Sequence, residues 1–303
     1  MARTLLAFLM TLGVSFALTN PGIAQRDAAA GYSMRPVPVM SPKAGTYNAP
    51  AAAVIKDLRT GNVTRMNLEH PDEIYSAPQP DEPPTNDLGI SYPIDPADPR
   101  IALVLFSSDG ANYRCVGAAI GRRLILTAGH CVVSEQTGQF ASNVSVIPGY
   151  DSQSGTNTPI AAARLISFSG WVDGRDNAHD IGIIELVADL PNTVVPYTVS
   201  AFGPACPAAP VLQFRKRFYS PVLSQGGKQF MMDHIYRGCH RGTLYHRQPT
   251  ERGSSGSPAF STNDPNSIIA LVSAGSDLYG YDARLTRGKN CFIAVRLLGG
   301  VCY

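Results

Sequence analysis

Three short stretches, far apart in the chain, carry side chains that could act together. Leu126-Thr127-Ala128-Gly129-His130-Cys131 puts a histidine directly after a run that reads as a buried strand. Asp180-Ile181-Gly182-Ile183-Ile184-Glu185-Leu186 sets a carboxylate at the head of an apolar strand, and Gly253-Ser254-Ser255-Gly256-Ser257-Pro258 holds a hydroxyl in a turn of small residues. A serine hydroxyl is a poor nucleophile at neutral pH and needs an adjacent base, for which imidazole suits because its pKa lies near the working pH. A buried carboxylate is then needed to fix the imidazole tautomer and to stabilise the imidazolium as it forms. Glycines beside the serine let backbone N–H groups converge on the oxygen that gains charge in acyl transfer, where one donor contributes about 3 kcal/mol. Singly, each stretch has a plainer reading, as a flexible turn, a packed strand-end histidine or a capping aspartate. Their joint occurrence, in the order His130, Asp180, Ser255, favours the chemical one.

Such residues need a rigid frame, and the composition points to β-structure. Of 303 residues, 44% are hydrophobic and 16% charged, with a formal net charge of +2, which excludes a charge-rich disordered chain and argues against a dedicated nucleic-acid binder. From Ile101 onward come short runs, IALVLF, CVGAAI, RLILTA, NVSVIPGY, AARLISF, DIGIIEL, APVLQF, SIIALVSAG and FIAVRL, most of them separated by Gly, Asp, Asn or Ser. This texture predicts an all-β fold without a fixed-period repeat. The first 24 residues combine Arg3, an apolar run from Leu5 to Leu18 and small residues ending at Ala24, the layout of a secretory signal peptide, and no internal segment is apolar enough to span a bilayer. Residues 25–90 are Pro/Ala-rich and read as a disordered or irregular pro-segment, with only short apolar runs such as Ala51-Ala52-Ala53-Val54-Ile55. Six cysteines at 115, 131, 206, 239, 291 and 302, without CxxC spacing, predict disulfides and an oxidising compartment; spacing alone does not choose their pairing.

Residues 101–303 resemble the chymotrypsin-like serine endopeptidases. LTAGHC is similar to that family's LTAAHC, with Gly129 replacing an alanine; DIGIIEL resembles D-I-A-L-L-x-L, and GSSGSP resembles G-D-S-G-G-P. The resemblance implies two antiparallel six-stranded β-barrels, over 91–200 and 201–303, with His130 as general base, Asp180 as its partner and Ser255 as nucleophile. It also implies an oxyanion hole from the amides of Gly253 and Ser255, a bridge between Cys115 and Cys131, and substrate contacts from Thr250 and from the Val272-Ser273-Ala274-Gly275 strand, through Ser273 and Gly275. The remaining cysteines are expected as Cys206 with Cys239 and Cys291 with Cys302.

The departures matter too. Ser254 stands where trypsin-like zymogens hold the Asp that pairs with a new N-terminus, so that ion pair cannot form, and the turn looks more like the bacterial glutamyl endopeptidase branch. Pro249 falls at the base of the specificity pocket in place of Asp. Thr250 matches a threonine of glutamyl-specific relatives, whereas Val272 replaces their histidine. Maturation is expected between about 80 and 92, just ahead of the first barrel strand.

Charge is distributed unevenly. Residues 66–100 carry eight acidic groups against one Arg, net −7, and 215–252 carry eight basic groups against Asp233 and Glu251, net +6. This predicts that the acidic pro-segment docks on the basic segment and acts as an inhibitor. The plainer reading of the basic segment is a solvated face with an exposed Arg215-Lys216-Arg217 loop.

The sequence therefore predicts a secreted, monomeric serine endopeptidase acting on protein or peptide, with no cofactor, no metal and no membrane or nucleic-acid partner. The alternatives are an inactive binding module on the same fold, and polyanion binding through 215–252. His234, His240 and His246 have neither helical nor finger spacing for a metal.

Overall fold

The run IALVLF is apolar at every position because its strand is covered on both sides. Ile101, Leu103 and Leu105 enter one hydrophobic cluster, and Ala102, Val104 and Phe106 enter another, as the two-residue period of a strand requires. The computed structural model describes residues 33–34, 51–69, 93–152, 158–201, 212–220, 227–240, 243–246, 250, 253–261, 263–275 and 279–302.

Among these residues the strands are β1 (Ser33–Met34), β2 (Ala52–Asp57), β3 (Val63–Asn67), β4 (Ile101–Ser108), β5 (Ala111–Ala119), β6 (Leu124–Thr127), β7 (Ser142–Pro148), β8 (Ile160–Phe168), β9 (Gly182–Leu186), β10 (Thr198–Val199), β11 (Leu212–Tyr219), β12 (Gln229–His240), β13 (Thr243–His246), β14 (Pro258–Ser261), β15 (Asp264–Gly275) and β16 (Gly280–Arg284). The first barrel closes through β4, β5, β6, β9, β8 and β7, every neighbouring pair antiparallel. The second closes through β11, β12, β13, β16, β15 and β14, again antiparallel. This is the expected pair of six-stranded barrels. One hydrophobic cluster, which includes Leu103, Val116, Phe218, Phe230, Phe260 and Leu271, runs across both. No helix among the described residues is long and apolar enough to cross a membrane.

The stretch expected to be irregular is interrupted by a hairpin. β2 pairs with β3 and, on its other side, with Arg164–Phe168 of β8, burying Ala52, Ala53, Val54 and Ile55. The short apolar run at 51–55 finds an open strand edge there, and edges attract pairing.

Two further expectations are corrected. FIAVRL is helical, continuing the turn Arg287–Cys291 through Phe292–Leu297. Only the adjacent Phe292 and Ile293 are buried on it, so the run has the one-sided burial of a helix and lacks strand alternation. Arg215-Lys216-Arg217 is no exposed loop but the middle of β11, with Lys216 directed into the barrel alongside Phe214 and Phe218.

Asp95 and Asp98, which lie past the 25–90 pro-segment, meet Arg217 of β11. Arg217 Nε lies 2.8 Å from Asp95 Oδ2, and its Nη1 bonds Asp98. Asp98 also accepts from Tyr197 Oη at 2.7 Å, and Gln229 Nε2 donates to its carbonyl at 2.9 Å. Burial works against the Asp98 charge, but hydrogen bonds from Arg100 and Tyr197 outweigh it and hold the carboxyl below its ordinary pKa. Arg215 is engaged by Asp233, at 2.7 and 2.9 Å. Each member of the basic trio thus faces a carboxylate.

Candidate active site

β6 ends at Thr127, the chain stays extended at Ala128, and a tight turn over Gly129–Cys131 follows. The disulfide between Cys115 and Cys131 ties that turn to β5. Asp180 lies between the turn Asn177–His179, where the Asp176 side chain accepts from Ala178 N at 2.9 Å, and β9. Its carboxylate accepts from His130 N at 2.6 Å through Oδ1. Through Oδ2 it meets His130 Nδ1 at 2.8 Å and Ser273 Oγ–H at 2.7 Å. A carboxylate only accepts, so His130 Nδ1 carries the proton and Nε2 the lone pair, the state a general base requires. His130 Nε2 is buried and has no hydrogen-bond partner.

The Ser255 turn is clamped against the same strands. Gly253 and Gly256 both adopt positive φ, +88° and +79°. At Gly256 there is no room for a side chain, since a Cβ would come within 2.3 Å of Thr127 Oγ1 and of Val116 O. Val116 N donates to Ser255 O at 2.8 Å, and Gly256 N to Val272 O at 3.0 Å. The serine turn is therefore wedged between β6, which leads to His130, and β15, which carries Ser273. Ser255 Oγ, like His130 Nε2, has no hydrogen-bond partner among the described residues. The two residues are 0% and 1% exposed, so neither is open to solvent in this conformation.

Gly129, a departure in the sequence, has a steric reason. A Cβ there would lie 2.8 Å from Asp180 Oδ1 and 2.9 Å from Trp171 Cδ1. Trp171 is fully buried, sits edge-on to His130 with centroids 6.2 Å apart, and donates Nε1–H to Val133 O. Gly129→Ala is expected to cost about 1–3 kcal/mol by overpacking, read as a lower denaturation midpoint.

The predicted substrate residues are placed unevenly. Gly275 faces Thr250, whose Cβ and Oγ1 would both be 2.4 Å from an added Cβ. The Ser273 hydroxyl is committed to Asp180. Pro249 lies outside the described residues. Cys291 pairs with Cys302 as expected; Cys239 is disulfide-bonded, and Cys206 lies outside the described residues. Trp171 and Lys289 carried no signal in the sequence reading. Lys289 Nζ, fully buried, donates to Ala178 O at 3.0 Å, two residues before Asp180.

Beneath Thr250 the second barrel holds charge instead of hydrocarbon. A Cβ on Gly280 would meet both the His246 ring, at 2.0 Å, and Thr250 Oγ1, at 2.5 Å. His246 Nε2 accepts from Lys216 Nζ at 2.8 Å, and Lys216 also bonds Asp282 at 2.8 and 2.7 Å. Tyr236 Oη donates to Asp282, and His234 Nε2 lies 3.8 Å from it. His234, His246 and Asp282 present donor atoms within 4.8 Å, a set the sequence reading lacked because Asp282 comes from a distant strand. The Lys216 ammonium takes the cation's place among them. The other close set, Cys115, His130 and Cys131, has both sulfurs in a disulfide.

Burial opposes the Asp282 charge, but the Lys216 ammonium beside it holds its pKa well below the ordinary value; burial and then Lys216 push His234 well below its own. Both signs run the same way. His234 stays neutral while the unfolded chain gains a proton below about pH 6.5, and Asp282 loses its stabilising charge as pH falls further from about 4 through its folded pKa. Lys216→Met, which strands Asp282 without its partner, should cost about 3–5 kcal/mol at pH 7, and adding Asp282→Leu should recover much of it. Denaturant midpoints measured from pH 7 to 3 check both statements.

The barrels, the His130–Asp180–Ser273 line and the clamped serine turn suit one family, and residues 95–213 match the family model for trypsin. Over that stretch the chain is similar to the trypsin family, and its paired barrels have the chymotrypsin fold. The chain is 37% identical over 98 residues to a protein named glutamyl endopeptidase from Bacillus licheniformis, covering 32% of this chain and 30% of that one. It is 25% identical over 188 residues to a Bacillus subtilis protein named extracellular metalloprotease, covering 60% and 58%. The alignments thus span less than two thirds of either relative. Among solved structures, protease Anisep from Arthrobacter nicotinovorans superposes with a TM-score of 0.57 at 18% identity, over 65% of this chain and 95% of that one, a likeness of fold.

Proposed function

We propose that this protein is a secreted serine endopeptidase that hydrolyses peptide bonds through an acyl-enzyme. Ser255 attacks the carbonyl, and His130 Nε2 takes its proton and returns it to the leaving amine. Asp180 holds the imidazole and stabilises the imidazolium, and the amides of Gly253 and Ser255 bind the oxyanion. Water then repeats the sequence to release the acyl group. One observation carries this reading: His130 is oriented through Nδ1 by Asp180, itself held by Ser273, while its basic Nε2 is left without a partner.

The closed surroundings of Ser255 support a latent full-length form opened by N-terminal processing, and residues 1–24 with the disulfides support export. The protein before and after processing should be treated with a fluorophosphonate probe and a mixed peptide library. Labelling at Ser255 that rises on processing, together with peptide cleavage, is the expected result. A processed, folded protein that neither labels nor cleaves would leave the inactive binding module as the better reading.

A further inference from the structure

The hairpin of β2 and β3 reaches the catalytic region through one turn. Beyond Phe168, β8 gives way to a helical turn over Ser169–Val172. The hairpin grips both ends of it. Ala52 N donates to Ser169 Oγ at 3.0 Å in a buried bond, and Arg65 forms a two-pronged pair with Asp173, Nη1 to Oδ2 and Nη2 to Oδ1, each 2.7 Å. Planar, paired contacts of this kind fix orientation as well as distance.

What the turn carries is the packing around the base. Trp171 lies against Gly129 and the His130 ring. At Gly170 a Cβ would come within 2.3 Å of the His179 ring, one residue before Asp180, and Gly170 O accepts from Asp176 N. His130 and Asp180 are thus both lodged against a turn whose ends are set by residues 52 and 65. The hairpin itself is anchored: Ala53 and Ile55 are buried in the cluster shared with Ile166, Phe168, Ile181 and Ile183, and Glu69 pairs with Arg296 at 2.7 Å.

We infer that the hairpin 52–67 is a positioning element of the catalytic body, holding the Ser169–Asp173 turn that braces His130 and Asp180, and that it stays with that body after any leader is removed. A cut before 51 keeps it in the chain; a cut between 70 and 92 leaves it bound as a separate strand pair. The inference depends on His130 and Asp180 being the base and its partner.

The test uses the full chain, processed and labelled at Ser255, weighed intact under native and then denaturing conditions. The labelled species is expected to retain residues 52–67, covalently or as a bound fragment. The variant Arg65→Met with Ser169→Ala is expected to lower kcat by roughly 10- to 100-fold with KM unchanged, the size of a misplaced catalytic group, and to shift the NMR resonance of the His130 Nδ1 proton. Arg65→Lys with Ser169 intact should restore most of both, and Val195→Thr, an exposed position outside the hairpin and the site, should change neither. A labelled, active species lacking 52–67 overturns the inference, as does a double variant with unaltered kcat and resonance. If the wild type fails to label, the protease reading falls, while the native mass and the His130 resonance still decide whether the hairpin is retained and positions the ring.

Discussion

Ser255→Ala is expected to lower kcat by about a millionfold while leaving KM and the denaturation midpoint nearly unchanged. The separation of effects follows from the geometry. Ser255 Oγ makes no hydrogen bond, so its removal breaks no contact that holds the turn. The turn is fixed by its backbone, through Val116 N to Ser255 O and Gly256 N to Val272 O, and by the glycines at 253 and 256. Only the nucleophile is lost. His130→Ala should fall by a similar factor, and the double variant by little more, because the two groups act as one unit. Single-turnover rates on a cleaved library peptide measure this directly. Activity within tenfold of wild type in Ser255→Ala would remove the serine from the reaction.

The candidate residues stand out in the sequence because the chemistry proposed for them needs particular residue types in short, rigid settings. A histidine after an apolar strand, an aspartate before one and a serine between glycines survive as local patterns. The first barrel was equally legible, since IALVLF, RLILTA and DIGIIEL bury apolar side chains in strands and read as such.

The second barrel was less so, for a physical reason. Lys216, His234, His246 and Asp282 point into its interior and gather around the Lys216–Asp282 ion pair there, so β11, β12 and β13 carry polar residues in inward places. A reading that equates inward with apolar assigns those strands to the surface, and it did so for Arg215-Lys216-Arg217. The hairpin was hidden by its company: five apolar residues amid proline-rich sequence look unable to fold, and they fold because β8 offers them an edge. Trp171 and Lys289 left no local pattern, since their partners, Gly129 and Ala178, lie far from them in sequence.

Asp180→Asn should cost about 10,000-fold in kcat, together with a loss of about 1–3 kcal/mol in stability. Both follow from counting donors. The carboxylate takes three, His130 N at Oδ1 and both His130 Nδ1–H and Ser273 Oγ–H at Oδ2, and supplies none. An asparagine has one accepting oxygen and one donating NH₂ group in the same space. With its oxygen toward Nδ1, the NH₂ group opposes the His130 backbone N–H. In the other orientation it opposes Nδ1–H, and the ring relieves the conflict by moving its proton to Nε2, where a general base needs the lone pair. Burial at 0% exposure leaves no water to take up the unmatched donor. The first orientation weakens the turn and the second inactivates the base, so stability and rate should both fall. Measuring kcat beside the denaturation midpoint separates the two. A variant with kcat within tenfold of wild type would mean that the carboxylate anchors the fold without orienting the base.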